Sequence, residues 1–399
     1  AAIPWGERSM SLRGAAYIAG AWEHPTRKAP DKSIALLHAE CAKGALADAG
    51  LTKDDVDGYF CAGDAPGGLG PLSMVDYMNL KCRHVDSTDV GGSSYQVAVG
   101  HAMEAIAAGR CNVALITLSG RPRSEGQATG TAPRPGNPAA PEMQFEYPYG
   151  PATANLYGMC AARHMHEYGT TSEQLAWIKV AASHHAQHNP NAMLRDVVTV
   201  EDVVNSPMVS TPLHRLDCCV ISDGGGALIL TKPEIAKSLK RPLVKVIGVG
   251  ESPKHQAGGD IDLTFTAARW SGPPAWEMAG IKPSDIKYAS IYDSFTITVL
   301  MQLEDLGFCK KGEGGKFVSD GNLISGVGKL PFNTDGGGLC SNHPANRGGI
   351  TKIIEAVRQL RGEAHPAVQV ANCDLAIAHG TGGALGTRHC GSTVILERE

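Results

Sequence analysis

The chain has 399 residues, of which 43% are apolar and 19% charged, enough for one or two domains around a large buried core. Lys and Arg number 36 against 40 Asp and Glu, a net charge of -4, which excludes the broad basic excess of a nucleic-acid-binding chain. No apolar run approaches the ~20 residues that span a bilayer, so no membrane association is expected. The opening residues Ala-Ala-Ile-Pro-Trp-Gly-Glu-Arg do not read as a secretory signal. With eleven cysteines and no paired framework, a reducing cytoplasm is the expectation.

Residues 14–20 predict a strand. Residues 33–49 predict an amphipathic helix with Gly50 as its C-cap. Residues 56–61 read as a strand, 91–108 as a helix and 113–118 as a buried strand. This strand–helix alternation is the pattern of an α/β fold. Residues 120–150 break it, because Gly120-Arg-Pro-Arg and Thr131-Ala-Pro-Arg-Pro-Gly-Asn-Pro are loop chemistry. Insertions of this length are functional covers or disordered segments. A helix is then predicted over 165–182 and a strand over 225–231. From about Pro242 the plan restarts, with strands over 244–250, 286–292, 375–378 and 392–396 and helices over 267–279, 296–306 and 350–360. One short parallel links the two halves: Gly50-Leu-Thr-Lys-Asp-Asp-Val-Asp-Gly-Tyr and Gly280-Ile-Lys-Pro-Ser-Asp-Ile-Lys-Tyr. Both read as helix end, turn and strand.

Three loops carry the chemistry. Asn333-Thr-Asp-Gly-Gly-Gly-Leu-Cys-Ser-Asn-His-Pro-Ala-Asn-Arg-Gly-Gly349 places His343 in a glycine-rich turn. A histidine in such a loop favours a site role over core packing. Ile291-Tyr-Asp-Ser-Phe-Thr296 ends an apolar run and presents Tyr292. Ala378-His-Gly-Thr-Gly-Gly383 precedes the last strand. In this order the three resemble the catalytic loops of the thiolase superfamily, nearest its sterol-carrier-protein-type branch. Tyr-Asp-Ser-Phe sits where that branch has His-Asp-Cys-Phe, and Ser341-Asn-His-Pro344 where it has Gly-His-Pro. Leu216-Asp-Cys-Cys-Val-Ile-Ser-Asp-Gly-Gly-Gly-Ala-Leu-Ile-Leu230 resembles its strand before the central junction.

The resemblance implies a thiolase fold, with duplicated αβαβα halves in five layers. It places the halves at 1–241 and 242–399, with a lid inserted at about 120–205. It also implies CoA thioester substrates, no covalently bound cofactor, a homodimer, and a small OB-fold or zinc-ribbon partner subunit. Gly63-Asp-Ala-Pro-Gly-Gly-Leu-Gly70 then reads as a turn-rich loop near the dimer interface.

The expected nucleophile is missing from this pattern. Thiolases place a cysteine just before the helix that corresponds to 91–108, where the helix N-terminus favours its thiolate. Aligning the family's Gly-Ser on Gly92-Ser93 puts Asp89 there. Ser294 replaces a second cysteine, and His379 occupies the last catalytic loop, where other thiolases carry Cys-x-Gly. An acyl-enzyme requires a nucleophile that can be activated near neutral pH. The pattern without it resembles the superfamily's steroid side-chain aldolases, which cleave β-hydroxyacyl-CoA by a retro-aldol reaction. That reaction needs a base for the β-hydroxyl proton and donors for the thioester enolate. Tyr292 or His343 would serve as the base. His343 and the backbone amides of Gly380, Gly382 and Gly383 would serve the enolate, with His379 as further support.

Plainer readings stand beside these. Asp89 reads equally as a helix N-cap, and His379 equally as a structural histidine. Cys340 reads as a small buried apolar residue. His184-His-Ala-Gln-His188 lacks the His-Glu-x-x-His carboxylate and reads as a helix end, so no metal is expected. Cys218-Cys219 suits neither zinc spacing nor a disulfide. Two other functions remain open: a thiolase-type acyltransferase with an atypical nucleophile, and a non-catalytic acyl-CoA or lipid-binding subunit.

Overall fold

The frame is a strand pattern used twice. The computed structural model describes residues 12–129, 139–254, 261–344 and 348–399. Its first half contributes β1 (Tyr17–Glu23), β2 (Gly58–Cys61), β3 (His84–Ser87), β4 (Val113–Gly120), a separate hairpin of β5 (Met208–Ser210) and β6 (Leu213–His214), and β7 (Gly224–Thr231). The second half contributes β8 (Val244–Lys254), β9 (Tyr288–Ile291), β10 (Leu375–Gly383) and β11 (His389–Arg398). The sheet runs β3-β2-β4-β7-β1-β8-β11-β10-β9. β2 is parallel to β4, and β7 is antiparallel to both β4 and β1. β9 is parallel to β10, and β11 is antiparallel to both β10 and β8. The blocks β2-β4-β7-β1 and β9-β10-β11-β8 therefore share one order and one set of directions. They meet through the pair Tyr17↔Lys245.

Three cores separate the layers. Between the blocks lie the helices Ser94–Ala107 and Gly349–Arg361, whose Val99, Met103, Ile353 and Val357 pack with Ile116, Leu228, Val246 and Val394. The helix Ile34–Ala49 covers the far face of the first block through Leu46, Ala45 and Cys41. The helices Ala268–Ala279 and Thr296–Asp305 cover the far face of the second, over Ile291, Ile377 and Ile395. The result is helix, sheet, helix, sheet, helix: five layers.

The short sequence parallel is real at backbone level. Ser33 caps the first helix by accepting from the Leu36 amide at 3.0 Å, and Gly50 ends it at φ 71°. Gly280 ends its counterpart at φ 67°. A 3-10 turn follows each, at Lys53–Asp55 and Pro283–Asp285, and leads into β2 and β9.

Two expectations change. The helix predicted over 165–182 is two helices, Thr153–Tyr168 and Ser172–Ala186. Gly169 ends the first at φ 71°, and Thr171 starts the second by accepting from the Gln174 amide. The strand β3 and the helix Pro71–Met78 were missed. β3 is a short, half-buried edge strand without the continuous apolar run of a buried one. Within the insertion, Leu175, Ile178 and Ala182 of the second helix join the outer core of the second half. Among the described residues no helix is long and apolar enough to cross a membrane.

Candidate active site

Tyr292 is the first residue beyond β9. Its amide donates to the His379 carbonyl at 3.0 Å, and its own carbonyl accepts from Gln302 Nε2 at 2.7 Å. Ala289 and Ile291 face the outer core and Tyr288 the central one, so alternation turns Tyr292 toward the central helices. There its Oη lies 2.9 Å from His343 Nε2, with the rings edge to face at 5.5 Å. Both side chains are buried. A Cβ on Gly92 would stand 2.5 Å from that Oη. The phenol therefore rests against the first turn before the helix Ser94–Ala107, at the positive end of its dipole.

The His343 loop is fixed from both sides. Asp293, fully buried, pairs with Lys352 Nζ at 2.6 Å and accepts from the Gly338 and Leu339 amides at 2.9 and 3.1 Å. Asn333 accepts from the Ile291 amide and donates to the Ile291 carbonyl, at 2.9 and 2.8 Å. The His343 amide donates to Ser222 Oγ at 3.0 Å. Sequence reasoning missed Lys352, although one signal existed: it stands among Ile350, Ile353 and Ile354 on a buried stripe.

Burial raises the Tyr292 pKa well above its ordinary value. The Tyr157 phenol, the Cys219 thiol and the Asp293 carboxylate push the same way, and a hydrogen bond from the Gly348 amide opposes them. Tyr292 is thus a neutral phenol near neutral pH. Burial likewise raises Tyr157, with Ser294 opposing. Burial raises Cys219 as well, reinforced by Cys218 and Asp293, which disfavours a thiolate. Neither Tyr157 nor Cys219 was singled out as a site residue in the sequence. Ser294, at the position of the family's second cysteine, shares a 3.0 Å hydrogen bond with Thr298 Oγ1. A hydroxyl partner of this kind is not a base that could activate it.

His379 is not brought to this pair. β10 continues to Gly383 rather than ending near 378, and successive side chains of a strand face opposite ways. His379 Nδ1 bonds Thr393 Oγ1 at 2.9 Å, and Thr393 meets Ser271 of the outer helix. Burial, then His389, lowers its pKa to about 3, so the ring is neutral. This is a structural placement. Gly380 and Gly382 are the residues that face the helix N-terminus, where a Cβ would overlap Gln96 Oε1 and the Val90 carbonyl respectively.

Those two glycines lie within the strand ladder. The His379 carbonyl points to β9, so the neighbouring residues 380 and 382 point to β11 and join its ladder at Ser392 and Cys390. Their role here is close approach. Gly383, at φ 75°, ends the strand, and its carbonyl accepts from Tyr157 Oη at 3.0 Å. Asp89 is exposed and accepts from the Gly91 amide at 3.2 Å in the turn before the helix, whose N-cap residue is Ser93.

Similarity to known proteins follows the same lines. Residues 250–398 match the family model described as Thiolase C-terminal domain-like. An acetyl-CoA acetyltransferase of Methanothermobacter thermautotrophicus is 34% identical over 90% of this chain and 93% of its own length. A steroid side-chain-cleaving aldolase of Thermomonospora curvata is 35% identical over 88% of this chain and 91% of its own. The solved Ltp2-ChsH2(DUF35) aldolase superposes with a TM-score of 0.86 at 32% identity, covering 97% of this chain and 98% of that one. With five layers, a duplicated strand order and relatives spanning nearly its full length, the chain belongs to the thiolase superfamily.

Proposed function

We propose that this protein cleaves a β-hydroxyacyl-CoA by a retro-aldol reaction without a covalent acyl-enzyme. One observation carries the reading: the Tyr292–His343 pair, with its 2.9 Å bond, stands at the helix N-terminus, where the superfamily's nucleophile has been replaced. The β-hydroxyl proton passes to Tyr292 Oη while the phenol's own proton passes to His343 Nε2. The Gly348 amide bonded to that oxygen supports this direction of donation. The Cα–Cβ bond breaks, its electron pair forms the thioester enolate, and Cβ becomes a carbonyl. The positive helix end favours the enolate charge; the proton held on His343 returns through Tyr292 to Cα, which releases the shortened acyl-CoA and restores the resting pair. In this scheme Gly380 and Gly382 build the wall of the site, the His379 ring stays behind the strand, and Asp89 stands in the turn at the mouth.

The relatives' names support both lyase and acyltransferase chemistry. Cys219 is a thiol within electrostatic reach of Tyr292, and its raised pKa argues against acyl transfer through it. A non-catalytic binding subunit would have no use for the tyrosine–histidine pair. A panel of β-hydroxyacyl-CoA substrates separates the readings. Retro-aldol cleavage releases one aldehyde or ketone for each shortened acyl-CoA, with no free CoA consumed. Turnover that requires free CoA as co-substrate would refute the proposal.

The same reading divides the chain near Pro242, with 120–205 as the lid. It assembles a homodimer through residues 85–94. β3 supports this, because it is the free edge of the first block. Its unpaired backbone groups suit strand pairing across a two-fold axis. Exposed Leu69, Leu72 and Tyr77 lie on the adjoining loop and helix. A stable, fully active monomer in light scattering would remove the dimer. The Ltp2-ChsH2(DUF35) structure supports a small partner subunit, and full activity of the purified chain alone would remove that part only.

A further inference from the structure

One phenol carries the inserted segment into the reacting loops. Tyr157 lies within the helix Thr153–Tyr168 and is 3% exposed. Its hydroxyl donates to the Gly383 carbonyl at 3.0 Å. Its ring packs on Phe295 with centroids 4.4 Å apart and a tilt of 32°. Both contacts fall on chain that frames Tyr292. Gly383 ends the strand next to β9, and its amide nitrogen lies 2.8 Å from the place a Cβ on Gly91 would take. Phe295 follows Tyr292 by three residues and is the N-cap of the helix Thr296–Asp305.

The helix that carries Tyr157 is itself anchored. His164 Nε2 meets Glu304 Oε2 at 3.0 Å, and Glu304 also pairs with Lys311 at 3.0 Å. The other Glu304 oxygen accepts from the Gly312 and Gly314 amides, at 3.0 and 2.9 Å. Glu304 shares its helix with Gln302, which holds the Tyr292 carbonyl. On the N-terminal side, Glu146 pairs with Arg388 in the turn after β10. The phenol is thus held from its own helix while it holds the two loops beside Tyr292.

We propose that Tyr157 is a positioning residue for the bond-breaking step: its bond to Gly383 and its ring contact with Phe295 keep the Tyr292 phenol in register with His343. The chemistry in this statement rests on the retro-aldol reading; the geometry does not. A misplacement of about 1 Å in a reacting pair costs about 10²-fold in turnover. Tyr157→Phe removes one hydroxyl and keeps the ring on Phe295, so a smaller loss of about tenfold follows.

The test uses the full chain in two parts. Steady-state kinetics are measured on a β-hydroxyacyl-CoA that the wild type cleaves. The His343 ring nitrogens are followed by NMR in the free protein, assigned by their loss in His343→Ala. Tyr157→Phe should lower kcat about tenfold with KM within about twofold, leave the melting temperature unchanged and move the His343 Nε2 resonance. Tyr157→Leu should lower kcat about 10²-fold. Turnover of Tyr157→Phe within twofold of wild type overturns the proposal, as does a loss confined to KM or matched by a fall in melting temperature. If the wild type shows no retro-aldol activity, the function reading fails alone. Unchanged His343 resonances in Tyr157→Phe would then overturn the positioning role.

Discussion

Tyr292→Phe should slow carbon–carbon bond cleavage by about 10²–10⁴-fold, the range of lost general acid–base help. The substitution removes one hydroxyl and keeps a ring that is 3% exposed, so the packing against Gly92 and His343 stays. His343→Ala should cost a comparable factor of about 10²–10⁴, since under the proposed mechanism it removes the partner at 2.9 Å that receives the phenol's proton. The pair acts as one unit, so the double variant should lose little more than the worse single one. Binding of an unreactive CoA thioester should survive in both, because each substitution removes one polar group and leaves the surrounding loops in place. Kinetics beside calorimetric affinity check this. Near-normal turnover by Tyr292→Phe on a confirmed substrate would take the phenol out of the mechanism.

The second large effect lies behind the site. Lys352 Nζ and Asp293 Oδ1 are 2.6 Å apart, with side chains 3% and 0% exposed. Removing one partner of such a pair leaves an unpaired buried charge and costs about 3–5 kcal/mol. Lys352→Met should therefore lower the unfolding free energy by about that much in urea. It should also impair turnover, because Asp293 holds the Gly338 and Leu339 amides at the root of the His343 loop. Adding Asp293→Asn removes the stranded charge and should restore part of the stability. A loss below about 1 kcal/mol in Lys352→Met would show that water reaches the carboxylate and that the pair does not fix the loop.

Much of the architecture was written locally. Ser33, Gly50 and Gly280 act through neighbours in the chain, and their caps marked helix ends and the repeat between halves. Tyr292 and His343 were legible because each stands in a short polar or glycine-rich break in an apolar pattern. His379 was left between two readings for a definite reason. Three glycines among residues 380–383 read as loop chemistry, yet they continue β10, because only glycine lets the strand lie against the helix N-terminus. One extra stretch of strand turned the histidine to the opposite face. Tyr157 and Lys352 were not legible as site residues. Their partners lie far along the chain, 226 residues away for Gly383, and meet them only through the packing of layers.

Intact-protein mass spectrometry during turnover shows whether bond breaking passes through a covalent acyl-enzyme. With a β-hydroxyacyl-CoA that the protein cleaves, quenched samples should show unmodified protein at every time point while the shortened acyl-CoA accumulates. Cys219, the thiol that burial keeps protonated near Tyr292, should carry no acyl group. A thioester mapped to Cys219 or to any other of the eleven cysteines, forming and decaying as fast as turnover, would contradict the account and establish acyl transfer instead.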